Sequence, residues 1–344
     1  MAWASPNYSR TRIDAAGNTI IDPFAQDAEL AQAYAVINNW RASHSLPLNT
    51  FQIGLRKNAK KSDPQALIAQ RIKRLSSIEA KLRRFKHMNL SQMQDIGGCR
   101  AIVGTVNQVY EIVERYKHCR FKHKLKNFKD YIKNPPKSGY RSFHLIYYYH
   151  DRKHPKHKRL QIEIQLRSRL QHAWATSVEI VDAFTKQALK SSHGRQEWLR
   201  FFALIGSLFA RAEKTSPVPD APIDRNQLMT ELHALVKLLD VNKIFLGYAN
   251  ALDVDKMPGI SKSDYFLLKL DPSLRTTTVW GFNKAQLDIA TERYMKLEGE
   301  IRKVPGAQVV LVSGMALKTL RRAYPNYFMD ATVFLNVMNK ALGV

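Results

Sequence analysis

Two acidic residues stand in settings where chemistry can be built on them. Asp95, in Asp95-Ile96-Gly97-Gly98-Cys99-Arg100, places a carboxylate and two glycines just ahead of an apolar run that Arg100 helps to open. Glu163 lies in Gln161-Ile162-Glu163-Ile164-Gln165-Leu166-Arg167, where strand periodicity puts Ile162, Ile164 and Leu166 on one face and Glu163, Gln165 and Arg167 on the other. Two carboxylates from neighbouring strands suit Mg²⁺, which takes one or two protein carboxylates and completes its octahedron with water and phosphate oxygens. An Mg-nucleotide site follows from that pairing. Each residue also has a plainer use: an aspartate before a strand commonly forms a turn, and Glu163 can pair with Arg167 or Arg141 on an exposed sheet face.

The segment from Phe128 to His144 is the most specific in the chain. It sets Lys129, Lys133 and Lys137, the aromatics Tyr131 and Tyr140, then Arg141 and His144 around Asn134-Pro135-Pro136 and Ser138-Gly139. Cations for phosphate and a ring for base stacking both belong at such a turn.

The elements that must position these groups read as α/β. Leu30, Tyr34, Ile37 and Trp40 recur at helical spacing over 27–41, with an end expected at Leu46-Pro47-Leu48. A basic helical region is expected from Ser62 to about Phe85, broken near Arg71 to Leu75 and capped by Ser76 or Ser77. Strands are predicted at 99–103, 142–149 and 160–166, a helix at 107–118 and a loop over 127–139. The Lys, His and Pro-rich stretch 150–158 reads as the tip of a hairpin, and its His150, His154 and His157 match no metal-ligand spacing. Helices at 168–189, 194–214 and 224–251 would cover a mixed sheet, with a break at Ser191, Ser192 and Gly194 and a proline-rich connector at 216–222. Past a boundary at Pro258-Gly259, strands at 265–270, 277–282 and 307–312, a helix at 284–303 and one or two last helices form a small unit. The expected division is 1–258, with a helical extension from about 190, and 259–344.

Composition narrows the partners. The 344 residues carry a net charge of +25, and residues 51–170, with 29 Lys and Arg against 8 Asp and Glu, account for +21 of it. Such one-sided charge fits polyanions. The longest apolar stretch, Phe201 to Ala210, is half a bilayer span and reads as a buried helix, and residues 1–13 lack the pattern of a secretory signal. A cytoplasmic protein with no membrane partner is expected. Cys99 and Cys119 follow neither a disulfide nor a metal pattern and read as reduced bystanders.

Asp-Ile-x-Gly-x-Arg at Asp95, Lys-Asp-Tyr-Ile at Lys129, Gly-Tyr-x-Ser-x-His at Gly139 and Glu-x-Gln-x-Arg at Glu163 together resemble, in order and spacing, the RelA/SpoT synthetase domain, the catalytic domain of alarmone synthetases. Arg71-x-Lys73 and Ser77 to Lys81 resemble that family's basic ATP-binding segment. The resemblance covers about residues 25–215 and implies transfer of pyrophosphate from ATP to a ribose hydroxyl. It implies Asp95 as an Mg²⁺ ligand and Glu163 as a second ligand or the base on the acceptor hydroxyl. Arg71 and Arg100 would enclose the adenine, while Lys73, Lys81 and Lys129, with Ser77 nearby, would hold the ATP phosphates. Tyr140 would stack on the acceptor base, with Arg141, His144, Gln165 and Arg167 around the acceptor ribose and the transferred group. The family's His-Asp hydrolase signature is absent from this sequence, so the resemblance is to small, synthesis-only members.

Tyr324-Pro325-Asn326-Tyr327, as a bare motif, reads as packing or capping. Following a synthetase domain, it resembles the Tyr-x-x-Tyr segment of fused toxin–antitoxin synthetases of the CapRel type, whose C-terminal zinc-finger-like domain restrains the enzyme. No cysteine follows Cys119, so the resemblance implies a form without zinc. It further implies the 3′ end of tRNA as acceptor, a phage structural protein such as the major capsid protein as activator, and Tyr324 and Tyr327 as regulatory residues. A small alarmone synthetase acting on GDP or GTP uses the same site residues and is the alternative.

Overall fold

The computed structural model describes residues 3–118, 121–185, 189, 194–250, 253–256, 263–274, 276–301, 304, 306–313, 317–328 and 330–343. Cys119, the Ser191-Ser192 break, the Pro258-Gly259 boundary and Lys303 lie outside them. The first elements are helices α1 (Arg10–Thr19), α2 (Asp27–Ser43) and α3 (Ser45–Ser62), strand β1 (Leu67–Ile72) and helix α4 (Leu75–Arg84). Then come β2 (Gly97–Val103), α5 (Val106–His118), β3 (Lys124–Asp130), β4 (Phe143–Tyr148) and β5 (Gln161–Ser168). Helices α6 (Arg169–Thr185), α7 (Gln196–Ala212), α8 (Arg225–Leu238) and α9 (Val241–Asn250) follow. The chain closes with β6 (Asp253–Lys256), β7 (Tyr265–Asp271), β8 (Thr276–Phe282), α10 (Leu287–Glu300), β9 (Gln308–Ser313), α11 (Leu317–Ala323) and α12 (Thr332–Leu342).

This is the expected α/β class, with a mixed sheet flanked by helices. Strands in the order β1-β2-β5-β4-β3 make the first sheet. Contacts divide the chain into two units, the first holding 1–101, 111–129 and 144–165, the second 102–110, 130–143 and 166–344.

In the first unit the core joins Ile13, Ile37 and Trp40 of the N-terminal helices to Ile78 and Leu82 of α4 and to Ile96 and Leu160. Three local expectations change here. Pro47 does not end a helix; it lies in the first turn of α3, where backbone amides have no intrahelical partner and proline is tolerated. Leu67 to Ile72 is a strand rather than helix, because a short apolar run satisfies either period and here its first three residues are buried against neighbours. Neither Ser76 nor Ser77 caps α4, whose N-cap position is Arg74 without a side-chain cap bond.

The loop expected over 127–139 is strand as far as Asp130. β3 is an edge strand, largely exposed and rich in lysine, so it lacks the apolar alternation that signals a strand while carrying the charges that keep edges from pairing.

In the second unit α7 buries every residue from Phe201 to Ala210, as its apolar run implied. Phe334 of α12 stands with its ring centroid 5.5–6.3 Å from those of Phe201, Phe202, Phe209 and Phe245. The C-terminal sheet runs β6-β8-β7-β9, with β6 parallel to β8 and β7 antiparallel to β8 and β9. Leu267, Trp280, Ala290, Tyr294 and Val309 pack α10 on its face. Among the described residues no helix is long and apolar enough to cross a membrane.

Candidate active site

In the first unit, the end of β1 and the entry to β2 are pinned together by the Lys73 amide, which donates to the Ile96 carbonyl at 2.8 Å. That bond brings Lys73 to Asp95: its Nζ lies 2.5 Å from Oδ2, and Lys81, from the second turn of α4, reaches Oδ1 at 2.8 Å. Burial pushes the Asp95 carboxyl up, but the two ammonium groups and their hydrogen bonds outweigh it and hold it well below the usual carboxylate range. Burial lowers the Lys73 pKa, against the pull of Asp95. The pair thus sits in a site that is costly for charge.

Glu163 sits in the middle of β5. His144, from β4, lies with Nδ1 3.0 Å from Oε1, and Gln165 Nε2 donates to Oε2 at 2.6 Å. Burial again raises this carboxyl, and the neighbouring His144, through charge and hydrogen bond, brings it below its usual value. Asp95 opposes that fall by repulsion, so each carboxylate feels the other. Gly98 keeps the space over Glu163 open: the first atoms a Cβ there would meet are the carbonyl and Oε2 of Glu163, at 3.9 and 4.0 Å. Carboxylate oxygens are the hard donors that Mg²⁺ takes, and here those of Asp95 are held by Lys73 and Lys81 and those of Glu163 by His144 and Gln165.

Other expected donor residues fall in the same unit without all converging. Arg71 is exposed near the end of β1, Arg100 is half-buried on the adjacent β2, and Ser77 is half-buried in the first turn of α4. Lys129 lies on β3, at the opposite edge of the sheet from β1, about 19 Å away at ~4.8 Å per strand. The structure therefore joins Lys73 and Lys81 to Asp95 and leaves Lys129 apart from them.

In the second unit, Arg167 donates through Nη2 to the Tyr140 hydroxyl at 2.8 Å and carries its guanidinium carbon 5.2 Å from the ring centroid. Tyr131 and Trp174 approach the same ring at 5.6 and 6.3 Å, both edge-on. Gly139 has φ +87°, and a Cβ there would fall 2.9 Å from the Phe202 carbonyl, so glycine is required for the turn to sit on α7. Gly206 meets it from the helix side: a Cβ at 206 would lie 3.0 Å from the Gly139 Cα. Arg141 is buried and donates to the Ser216 carbonyl. Trp174 escaped sequence reasoning, because an aromatic in the first turns of a helix reads as core. Tyr324 and Tyr327 are buried as an edge-on pair 6.4 Å apart, and the Tyr327 carbonyl accepts from Thr277 Oγ1 at 2.6 Å.

In the first unit, then, Asp95 is held by Lys73 and Lys81 and Glu163 by His144 and Gln165, while Tyr140 and Arg167 form an aromatic and guanidinium cluster of the second unit. Residues 70–182 match the family model described as the region found in RelA / SpoT proteins, so this third of the chain carries that region. Among curated proteins, the chain is 34% identical over 116 residues to GTP pyrophosphokinase YjbM of Bacillus subtilis, covering 33% of this chain and 54% of that protein. It is likewise 34% identical over 82 residues to a GTP pyrophosphokinase of Haemophilus influenzae, covering 24% of this chain and 11% of the other. The chain thus spans about half the length of the first of these and a small part of the second. Among solved structures, small alarmone synthetase 1 from Bacillus subtilis bound to pppGpp aligns with a TM-score of 0.44 at 22% identity, over 50% of this chain and 89% of that one.

Proposed function

We propose that this protein is an ATP-dependent pyrophosphotransferase of the RelA/SpoT type. The observation that carries the reading is the arrangement of Asp95 between Lys73 and Lys81, with Glu163 paired to His144 and near enough to Asp95 for mutual repulsion. In the transfer, the acceptor ribose oxygen forms a bond to the β-phosphorus of ATP as the bond from that phosphorus to the AMP oxygen breaks. The hydroxyl proton passes to Glu163, which is ionised at neutral pH, and His144 steadies the carboxylate. Lys73 and Lys81 neutralise phosphate charge, and such positioning plus charge neutralisation is most of what phosphoryl-type transfer requires. Asp95 and Glu163 would hold Mg²⁺, which supplies further neutralisation of the developing charge.

The acceptor in this proposal is the 3′ end of tRNA, with Tyr140 stacking on the terminal base and Arg167 fixing the ring. The charge supports it: β3 presents Lys124, Lys126 and Lys129 on an exposed edge with Phe128, which suits a phosphate track longer than one nucleotide. The names of the curated relatives favour a second reading, pyrophosphate transfer to GDP or GTP. Residues 259–344 are proposed as a restraining region released by a phage structural protein, in anti-phage defence by translation arrest. Tyr324 and Tyr327 would act in a second conformation, since both rings are buried in this one. Incubation with γ-labelled ATP and either tRNA or GTP tests the acceptor: label on tRNA supports the first reading, label on GTP alone the second, and label on neither refutes both.

A further inference from the structure

The second unit carries a cavity of about 640 Å³, open to solvent, whose lining includes none of the residues assigned above to donor, metal or acceptor. That volume is typical of metabolite pockets. Its walls are residues 104–107 leading into α5 with Tyr110, the Ile132-Lys133 turn, Leu170 of α6, and Ala212 at the end of α7 with residues 213–216 that follow it.

The α5 wall is built to receive an anion. Thr105 and Gln108 cap each other, the Thr105 amide donating to Gln108 Oε1 at 3.0 Å and the Gln108 amide to Thr105 Oγ1 at 3.3 Å. This reciprocal cap uses two first-turn donors and leaves the amides of Val106 and Asn107, with the positive end of the helix dipole, at the cavity. Lys133 and Lys214 each add a cation from another wall.

The α7 wall offers an acceptor and hides a cation. Glu213 accepts from Ser168 Oγ and, at 2.9 Å, from Gln171 Nε2. Arg141, 3% exposed, is held to this wall through the Ser216 carbonyl, and among the described residues its Nε and Nη1 have no hydrogen-bond partner. Burial lowers its pKa to about 10, with the charge of Glu213 offsetting part of the fall. Donors left unmet on a buried guanidinium are costly, so Arg141, which stands behind the lining rather than in it, makes this wall sensitive to what occupies the cavity.

We propose that this cavity is a second ligand site, for a small phosphate monoester whose phosphate lies on the α5 N-terminus between Lys133 and Lys214 and whose hydroxyl or amino groups face Glu213. Arg141 directly follows Tyr140, so an occupant that moves the 212–216 wall also moves the seat of the acceptor-stacking ring. That coupling rests on the proposed function; the binding does not.

Isothermal titration of the full chain tests it, with ribose 5-phosphate, AMP and inorganic phosphate as separate probes. The two monoesters should bind wild type and Arg71→Ala alike. Both should bind at least about tenfold more weakly to Lys133→Glu/Lys214→Glu and to Ala212→Trp, which fills the space without changing charge. Saturating ribose 5-phosphate should shift the acceptor KM at least about threefold in wild type and not in the double variant. Absence of binding at millimolar concentration, unchanged binding in both cavity variants, or loss of binding in Arg71→Ala would each overturn the site. Inorganic phosphate binding as tightly as the monoesters would overturn the ligand class, and an unmoved KM the coupling. Because titration needs no turnover, a chain that transfers nothing to any acceptor would leave the binding result standing and sink only the proposed function.

Discussion

Lys73 Nζ lies 2.5 Å from Asp95 Oδ2, with the two side chains 11% and 22% exposed, so the residue proposed to hold a metal already neutralises a lysine. Removing the carboxylate therefore does two things at once. Asp95→Asn should reduce transfer on the order of a thousandfold, because metal-held charge stabilises the transition state by several kcal/mol, and should also destabilise the fold by about 2 kcal/mol through the stranded lysine. Glu163→Gln should show the first effect with less of the second. Transfer assays and urea melts of both variants check this, and near wild-type transfer in either would refute the metal assignment.

Acid should weaken the protein in a window set by buried histidine. His44, fully buried where α2 meets α3, donates from Nδ1 to the Trp40 carbonyl at 2.7 Å, and burial lowers its pKa from 6.5 to about 4. The folded state resists the proton that the unfolded chain accepts below pH 6.5, so stability is full above 6.5 and declines as pH falls towards 4, by about 3 kcal/mol. His44→Gln should flatten that decline in urea midpoints measured from pH 7 to 4. An unchanged slope would mean that other groups set it.

Gly139→Ala should cost about 1–3 kcal/mol, since the residue holds φ +87° and its new Cβ would press on the Phe202 carbonyl. Acceptor KM should rise several-fold while ATP binding stays near wild type. An equal loss of both would show that the Tyr140 turn does not serve the acceptor alone.

Charge reversal at Lys122, Lys124 and Lys126 should imitate high salt, lowering tRNA labelling at least about tenfold and leaving ATP affinity within about twofold. Filter binding against salt concentration checks it. If transfer to GTP proved as sensitive as transfer to tRNA, the polynucleotide acceptor would lose its support.

Tyr324→Ala and Tyr327→Ala each empty a buried ring and should cost about 3 kcal/mol. Restraint and plain packing then differ in sign. A destabilised but unrestrained enzyme should arrest growth more strongly than wild type without phage, whereas residues that only pack should make it weaker. Growth curves beside thermal melts decide between them.

The alternation of Ile162, Ile164 and Leu166 with Glu163, Gln165 and Arg167 was readable because β5 buries one side, and the polar side carried the chemistry. Asp95 was readable as a carboxylate before a strand. Its lysines were named as phosphate ligands, yet their closure on Asp95 depends on β1 pairing with β2, and β1 was hidden in an ambiguous apolar run. The His144–Glu163 contact depends likewise on β4 lying beside β5. β3 stayed hidden because a lysine-rich edge strand and a basic loop look alike in sequence.

Gly139 and Gly206 meet so closely that a Cβ on residue 206 would fall 3.0 Å from the Gly139 Cα, with the Trp174 side chain against both. Helix α7 consequently serves as a gauge block for the turn that bears Tyr140: whatever shifts the helix along its axis displaces the ring by a similar amount. Residue 206 contributes no functional group, yet its size sets where the Tyr140 turn can lie. A library at position 206 should therefore yield changes in acceptor choice before it yields loss of ATP binding, and Gly206→Ala is the smallest step of that gauge.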